Sequence, residues 1–213
     1  MADPSIGTAD GSEALHPPRS FMRTRESGMP EEPVWSSFFD PEATLRTLGL
    51  RPQSGDVVDF GCGYGTFAIP AAGIVRGIVH AFDVDPGMVA ATGSRAEAGG
   101  LNNVKARQRD LMADGTGLPN DSVGYAMIFN ILHCENPGVL LREAWRVLAP
   151  GGRLAILHWN FDPSTPRGPS MSIRPRPEQC RAWAIETGFE LAEPDPVALP
   201  PYHYGLLCRK PAR

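Results

Sequence analysis

Residues 57–65 read Val-Val-Asp-Phe-Gly-Cys-Gly-Tyr-Gly, with an acid two positions ahead of three alternating glycines, Gly61, Gly63 and Gly65. A short apolar run ending this way is a buried strand entering a tight loop, where backbone can come very close to a ligand. A G-x-G-x-x-G loop would place pyrophosphate on the N-terminus of the following helix. Here Asp59 guards the mouth of the loop, which repels pyrophosphate and favours a ligand carrying positive charge. Two further acids follow later apolar runs. Asp83 stands twenty-two positions beyond Gly61, where a carboxylate can accept from both hydroxyls of a ribose. Asp110 can accept from an adenine amino group while Leu111 packs on the ring. Asn130, Ile131 and His133 follow the next apolar run, and His158 and Trp159 the one after.

Elements of regular length must hold these groups in place. Asp40-Pro41-Glu42 opens a helix that runs to about Leu48. Strands are expected at 57–60, 77–82, 104–109, 122–130 and 153–159, with the last two at 189–192 and 202–209. Helices alternate with them at 65–75 (holding Pro70), 86–97 behind an Asp85 cap, 137–148, and 177–187 before Gly188. Strand–helix alternation at these lengths means βαβ units and a mostly parallel sheet covered on both faces. In such sheets ligands lie beyond the carboxyl ends of the strands, at the switch of strand order. The acids and histidines named above all fall there.

The chain has 213 residues, 42% hydrophobic, with a formal charge of −4. That size supports one sizeable core. The charge argues against general nucleic-acid binding, and no apolar run is long enough to span a bilayer. Cys62, Cys134, Cys180 and Cys208 form no C-x-x-C pair, so neither structural zinc nor a disulfide framework is expected, and a cytoplasmic setting fits. Residues 1–33 are rich in Pro, Gly, Ser, Glu and Arg and are expected to be a mobile segment ahead of a single domain at 34–213.

Taken as a set, VVDFGCGYGTFAIPAA, HAFDVDPGMVAA, ARQRDLMADGTGLPNDSVGYAMIFNILHCENP and LLREAWRVLAPGGRLAILHW resemble the class I S-adenosylmethionine-dependent methyltransferases over about residues 55–160. The small-molecule branch that methylates quinone precursors (ubiquinone and menaquinone biosynthesis) is nearest in flavour. The resemblance implies a Rossmann-like, doubly wound α/β fold with a seven-stranded, mostly parallel sheet whose last strand is antiparallel. It also implies S-adenosylmethionine as cofactor, bound by Asp59, Gly61, Cys62, Gly63, Gly65, Asp83, Val84, Asp110, Leu111, Asn130 and Ile131. A small-molecule acceptor would receive the methyl group.

His133 and His158 are the candidate general bases, needed where the acceptor is a hydroxyl or protonated amine. Trp35, Phe38 and Phe39 have two readings, a lid over the cofactor or an anchor for the first helix. Tyr202 is a further candidate near the acceptor. Arg167, Arg174 and Arg176 lie in a proline-stiffened stretch that either binds an anionic acceptor or is simply solvated. A nicotinamide-dependent oxidoreductase and a non-catalytic S-adenosylmethionine-binding protein remain alternative readings. Oligomeric state is not legible.

Overall fold

A computed structural model of the chain describes residues 30–193 and 196–212. Five parallel strands form the body of the sheet: β1 (Val57–Phe60), β2 (Val79–Asp83), β3 (Val104–Gln108), β4 (Val123–Phe129) and β5 (Leu148–Trp159). Three short strands complete it: β6 (Glu190–Leu191), β7 (Val197–Leu199) and β8 (His203–Arg209). The order is β3-β2-β1-β4-β5-β8-β6, with β8 antiparallel to β5. The order switches between β1 and β4, so their carboxyl ends open the crevice such sheets use for ligands.

Helices α1 (Glu32–Ser36), α2 (Pro41–Thr47), α3 (Ala68–Ile74), α4 (Pro86–Ala98), α5 (Pro137–Val147) and α6 (Pro177–Thr187) flank the sheet. The residue types explain their ends. Asp40 caps α2 by accepting from Ala43 N–H at 3.0 Å, and Asp85 caps α4 by accepting from Gly87 N–H at 2.7 Å. Pro70 occupies the third position of α3, where an amide would have no partner within the helix, so it costs nothing there. Gly188 closes α6 in the left-handed region at φ +107°.

The strands divide the core in two. Val58, Phe60, Phe82, Ala126, Ile128 and Ile156 pack with α5 and α6; Val57, Val79, Ala81, Tyr125, Met127 and Leu157 pack with α2 and α3. Tyr125 is fully buried, and its hydroxyl donates to Leu48 O at 2.7 Å, tying β4 to the end of α2.

Three features differ from the sequence expectation. The sheet has an eighth strand: β7, flanked by prolines, pairs with the first half of β8 at the sheet edge, where proline is tolerated. β5 begins at Leu148, because Leu148 already pairs with Val123 ahead of a register shift. Glu32 opens a short helix inside the segment expected to be mobile; residues 1–29 of that segment lie outside the described residues.

Tyr125→Phe removes the hydroxyl and leaves Leu48 O without its buried donor. The expected cost is about 1–3 kcal/mol, seen as a lower urea midpoint with an unchanged denaturant slope.

Candidate functional site

Side chains alternate across a strand, and Asp59 lies opposite Ala81 in register, so Asp59 and Asp83 rise from the same face of neighbouring strands. Asp59 is 2% exposed. Its carboxyl is pushed up to about 7, first by burial and then by the charge of Asp83. Asp83 is also raised by burial, against the opposing pull of main-chain donors. Among those donors are Gly63 N–H, 2.9 Å from Oδ2, and Asp85 N–H, 3.0 Å from Oδ1, with Val84 N–H a weaker third. Each Asp83 oxygen retains capacity for a further donor.

The glycine loop is closed upon itself. Gly61 and Cys62 N–H both donate to Phe82 O, at 2.9 and 2.8 Å, and Gly65 N–H donates to Cys62 O at 2.9 Å. With Gly63 N–H held by Asp83, four amides of the loop are spent inside the protein. Those four amides are not free for a pyrophosphate, which disfavours the nicotinamide reading.

Gly61 and Gly65 sit at φ +81° and +78°. A Cβ at Gly61 would lie 3.3 Å from Ile131 Cγ2, and one at Gly65 would lie 3.0 Å from Thr92 Oγ1. At these two positions a neighbouring side chain, as well as positive φ, requires glycine. Cys62 stands between Gly61 and Gly63. Its thiol is buried and within 3.6 Å of Thr92 Oγ1, so the side chain belongs to the core.

The remaining cofactor candidates gather at the same rim. Asp110 Oδ1 accepts from Met112 and Ala113 N–H at 2.9 and 3.1 Å, which shapes the turn after β3, and Leu111 is buried beside it. Val84 accepts through its carbonyl from Gln108 Nε2 at 3.1 Å. Asn130 ends β4 at φ +56°, an unusual conformation for a non-glycine residue. It is buried, and neither atom of its amide group has a partner among the described residues. A left-handed backbone presenting an unpartnered buried amide makes Asn130 a candidate for ligand contact.

The N-terminal aromatics bridge the rim. Phe39 packs on Phe67 and His203 with ring centroids 5.1 and 4.5 Å apart, and Phe38 packs on Trp159 and Tyr202 at 5.3 and 6.0 Å. Trp35 packs on Phe39 at 5.0 Å. The same segment is tied to the glycine loop: Tyr64 OH donates to Pro30 O at 3.3 Å, Arg95 donates to Tyr64 O at 2.8 Å, and Arg95 pairs with Glu32. Sequence reading missed Tyr64, Arg95 and Thr92. The signal available for Thr92 was the small-residue run Ala90-Ala91-Thr92-Gly93, which lets α4 approach the loop.

His133 and His158 meet, with Nδ1 of the first 3.3 Å from Nε2 of the second. His158 has no exposed surface, and burial followed by the neighbouring His133 charge holds it well below the usual histidine range. His158 is therefore neutral and cannot touch an acceptor, which corrects its assignment as a base.

Arg174 is corrected too. It is buried, and its guanidinium donates to five acceptors of its own loop at 2.6–3.2 Å: Pro169, Asn160, Asp162 and Arg167 carbonyls and Thr165 Oγ1. It staples the loop and has no capacity for an anion. Arg167 is exposed, and its carbonyl is one of those acceptors.

The fold and the rim define a class of protein: a doubly wound sheet whose switch point offers desolvated acids and an open amide to a cationic, adenosine-bearing ligand. The methyltransferase-domain family matches residues 57–152. Aklanonic acid methyltransferase DauC of Streptomyces sp. (strain C5) is 31% identical over 166 residues, 71% of this chain and 74% of that protein. Nocamycin O-methyltransferase of Saccharothrix syringae is 34% identical over 122 residues, 56% of this chain and 43% of that protein. A crystal structure of a SAM-dependent methyltransferase from Aquifex aeolicus superposes with a TM-score of 0.74 at 25% identity, covering 84% of this chain and 93% of that one. The chain belongs to the class I S-adenosylmethionine-dependent methyltransferases, and S-adenosylmethionine is its cofactor.

In the cofactor-free chain, Asp59 holds its proton up to about pH 7, whereas in the unfolded chain it would lose it near 3.8. Folded protein thus binds the extra proton between those values, and stability falls as pH rises through that window. Relative to Asp59→Asn, the wild type is expected to lose up to about 1.4 kcal/mol per pH unit from pH 4 to 7 and to level off above. Urea midpoints of the two proteins at pH 5 and pH 8 measure the difference.

Proposed function

We propose that this methyltransferase transfers the methyl group of S-adenosylmethionine to a small-molecule acceptor carrying an ionisable hydroxyl, and that it works in the cytoplasm. One observation carries the reading most: loop amides that would bind an anion are spent, while the acids at the β1 and β2 ends remain desolvated. That combination rejects phosphate and welcomes the positively charged amino-acid end of the cofactor. Two curated relatives methylate small molecules by name, and one of them is an O-methyltransferase, which supports the acceptor class. Polyhydroxylated quinone precursors would fall within the same class. No helix among the described residues is long and apolar enough to cross a membrane.

The residues fit the cofactor, and the assignments below are ours. Asp59 holds the methionine ammonium, directly or through water, and Asp83 accepts from the ribose hydroxyls with the lone-pair positions its main-chain donors leave. Asp110 and Leu111 take the adenine amino group and ring. Asn130 supplies its unsatisfied amide at the reacting end, with Ile131 fixing the turn against Gly61. The aromatic strap of Trp35, Phe38 and Phe39 excludes water from the cleft; its ties to both rim and glycine loop make lid and anchor one device.

When bound, the cofactor supplies an electrophilic methyl on a sulfonium, so the protein mainly positions the reactants and removes a proton. We assign that proton to His133, which borders a cavity beside the rim. His158 positions the His133 ring through the 3.3 Å contact and, being neutral, can accept or donate to it without adding charge.

Asp83→Ala is expected to weaken S-adenosylmethionine binding at least about 100-fold, since two charge-assisted hydrogen bonds are lost. Arg174→Ala should leave that affinity unchanged, because Arg174 serves the post-β5 loop. Calorimetric titration of both variants and the wild type, with NAD as a non-binding control, checks this. Equal affinity in wild type and Asp83→Ala would refute the assignment.

A further inference from the structure

A second space, about 430 Å³, opens on the α5/α6 side of the sheet and contains none of the acids or glycines of the cofactor rim. Its walls come from the turn after β4 (Leu132, His133), the loop after β5 (Phe161, Arg176) and α6 (Gln179, Trp183). We propose that this cavity seats the methyl acceptor, and that the acceptor is a flat aromatic hydroxyl compound bearing a carboxylate, which Arg176 grips. The proposal rests on the methyltransferase reading and adds to it the acceptor's chemical class.

Charge complementarity carries the argument. The Arg176 guanidinium carbon lies 3.6 Å from the Phe161 ring centroid, so the ring supports it from one side. Arg176 is exposed, and no carboxylate pairs with it among the described residues. A guanidinium supported from one side keeps its N–H edges for a planar carboxylate in bidentate geometry, which an ammonium could not match.

The second arginine of the wall, Arg174, is saturated by loop carbonyls, so it contributes rigidity and leaves Arg176 as the available cation. Glu135 shares the rim but has an interaction partner of its own. The volume suits a fused two-ring or three-ring compound, in the range of ordinary ligand pockets, and Phe161 and Trp183 offer faces for stacking. His133 forms part of the wall on the side of β4. An acceptor anchored at Arg176 therefore directs its hydroxyl toward the rim where the cofactor lies. On transfer the acceptor oxygen gains the methyl from the sulfonium, its proton passes to His133, and neutral S-adenosylhomocysteine leaves.

The test uses the full chain with S-adenosylhomocysteine present and two probes, 3-hydroxy-2-naphthoate and 2-naphthol, which share ring and hydroxyl but differ in the carboxylate. Binding is read by quenching of tryptophan fluorescence and by line broadening of probe proton signals. Wild type is expected to bind the carboxylate probe at least about ten-fold more tightly than the naphthol. Arg176→Gln should erase that preference, leave naphthol binding unchanged and leave S-adenosylhomocysteine affinity by calorimetry unchanged. Ile173→Trp, which fills the cavity, should weaken both probes. Equal binding of the two probes, no binding of the carboxylate probe at millimolar concentration, or a preference that survives Arg176→Gln would overturn the proposal. Loss of S-adenosylhomocysteine binding with the carboxylate preference intact would instead fault the cofactor cleft and leave the cavity assignment standing.

Discussion

Two carboxylates raised from one face of adjacent parallel strands, out of water and within each other's field, set the terms for the rest of the site. Asp59 has little exposure and feels Asp83, so its proton is held until about neutral pH. Burying like charges is costly unless something neutralises them. The protein neutralises only part of this: main-chain amides serve Asp83, and no basic side chain is paired with either acid among the described residues. The remaining electrostatic demand is one that a cation arriving from outside would meet. The parallel register creates the demand, because it forces residues 59 and 83 onto one face at the open end of the sheet.

The loop completes the selection. A glycine-rich turn after the first strand of a doubly wound sheet is usually discussed as an anion cradle. Here the amides of Gly61, Cys62, Gly63 and Gly65 all have internal partners, so the turn is a rigid wall rather than a cradle. Thr92 and Ile131 pack where Cβ atoms would otherwise stand and hold the wall in shape.

Much of this was legible in the sequence because it is local. The capping acids Asp40 and Asp85, the buried run ahead of Gly61, and the position of Asp83 after the second strand depend on neighbours a few residues away. What escaped is long-range. Whether a buried arginine staples its own loop or faces a ligand is decided by contacts between Asn160 and Arg174, and the pattern Arg-Pro-Arg-Pro does not distinguish Arg174 from Arg176. His158 looked equivalent to His133 for the same reason, since burial near the end of β5 depends on β8 pairing beside it, with His158 opposite Tyr204. The strand β7 was illegible because its three residues are framed by prolines and owe their conformation to an edge partner. The roles of Gly61 and Gly65 were half legible: positive φ follows from glycine in a turn, but the packing of Ile131 and Thr92 does not.

The central claim is that an ionised Asp59 receives the cofactor's positive charge. Calorimetric titration of S-adenosylmethionine at pH 7 in buffers of different ionisation enthalpy measures it directly, because binding must strip Asp59 of the proton it holds in the free protein. The account predicts release of roughly half a proton at that pH, abolished in Asp59→Asn. An apparent enthalpy that does not vary with the buffer, or identical proton release in the variant, would contradict it.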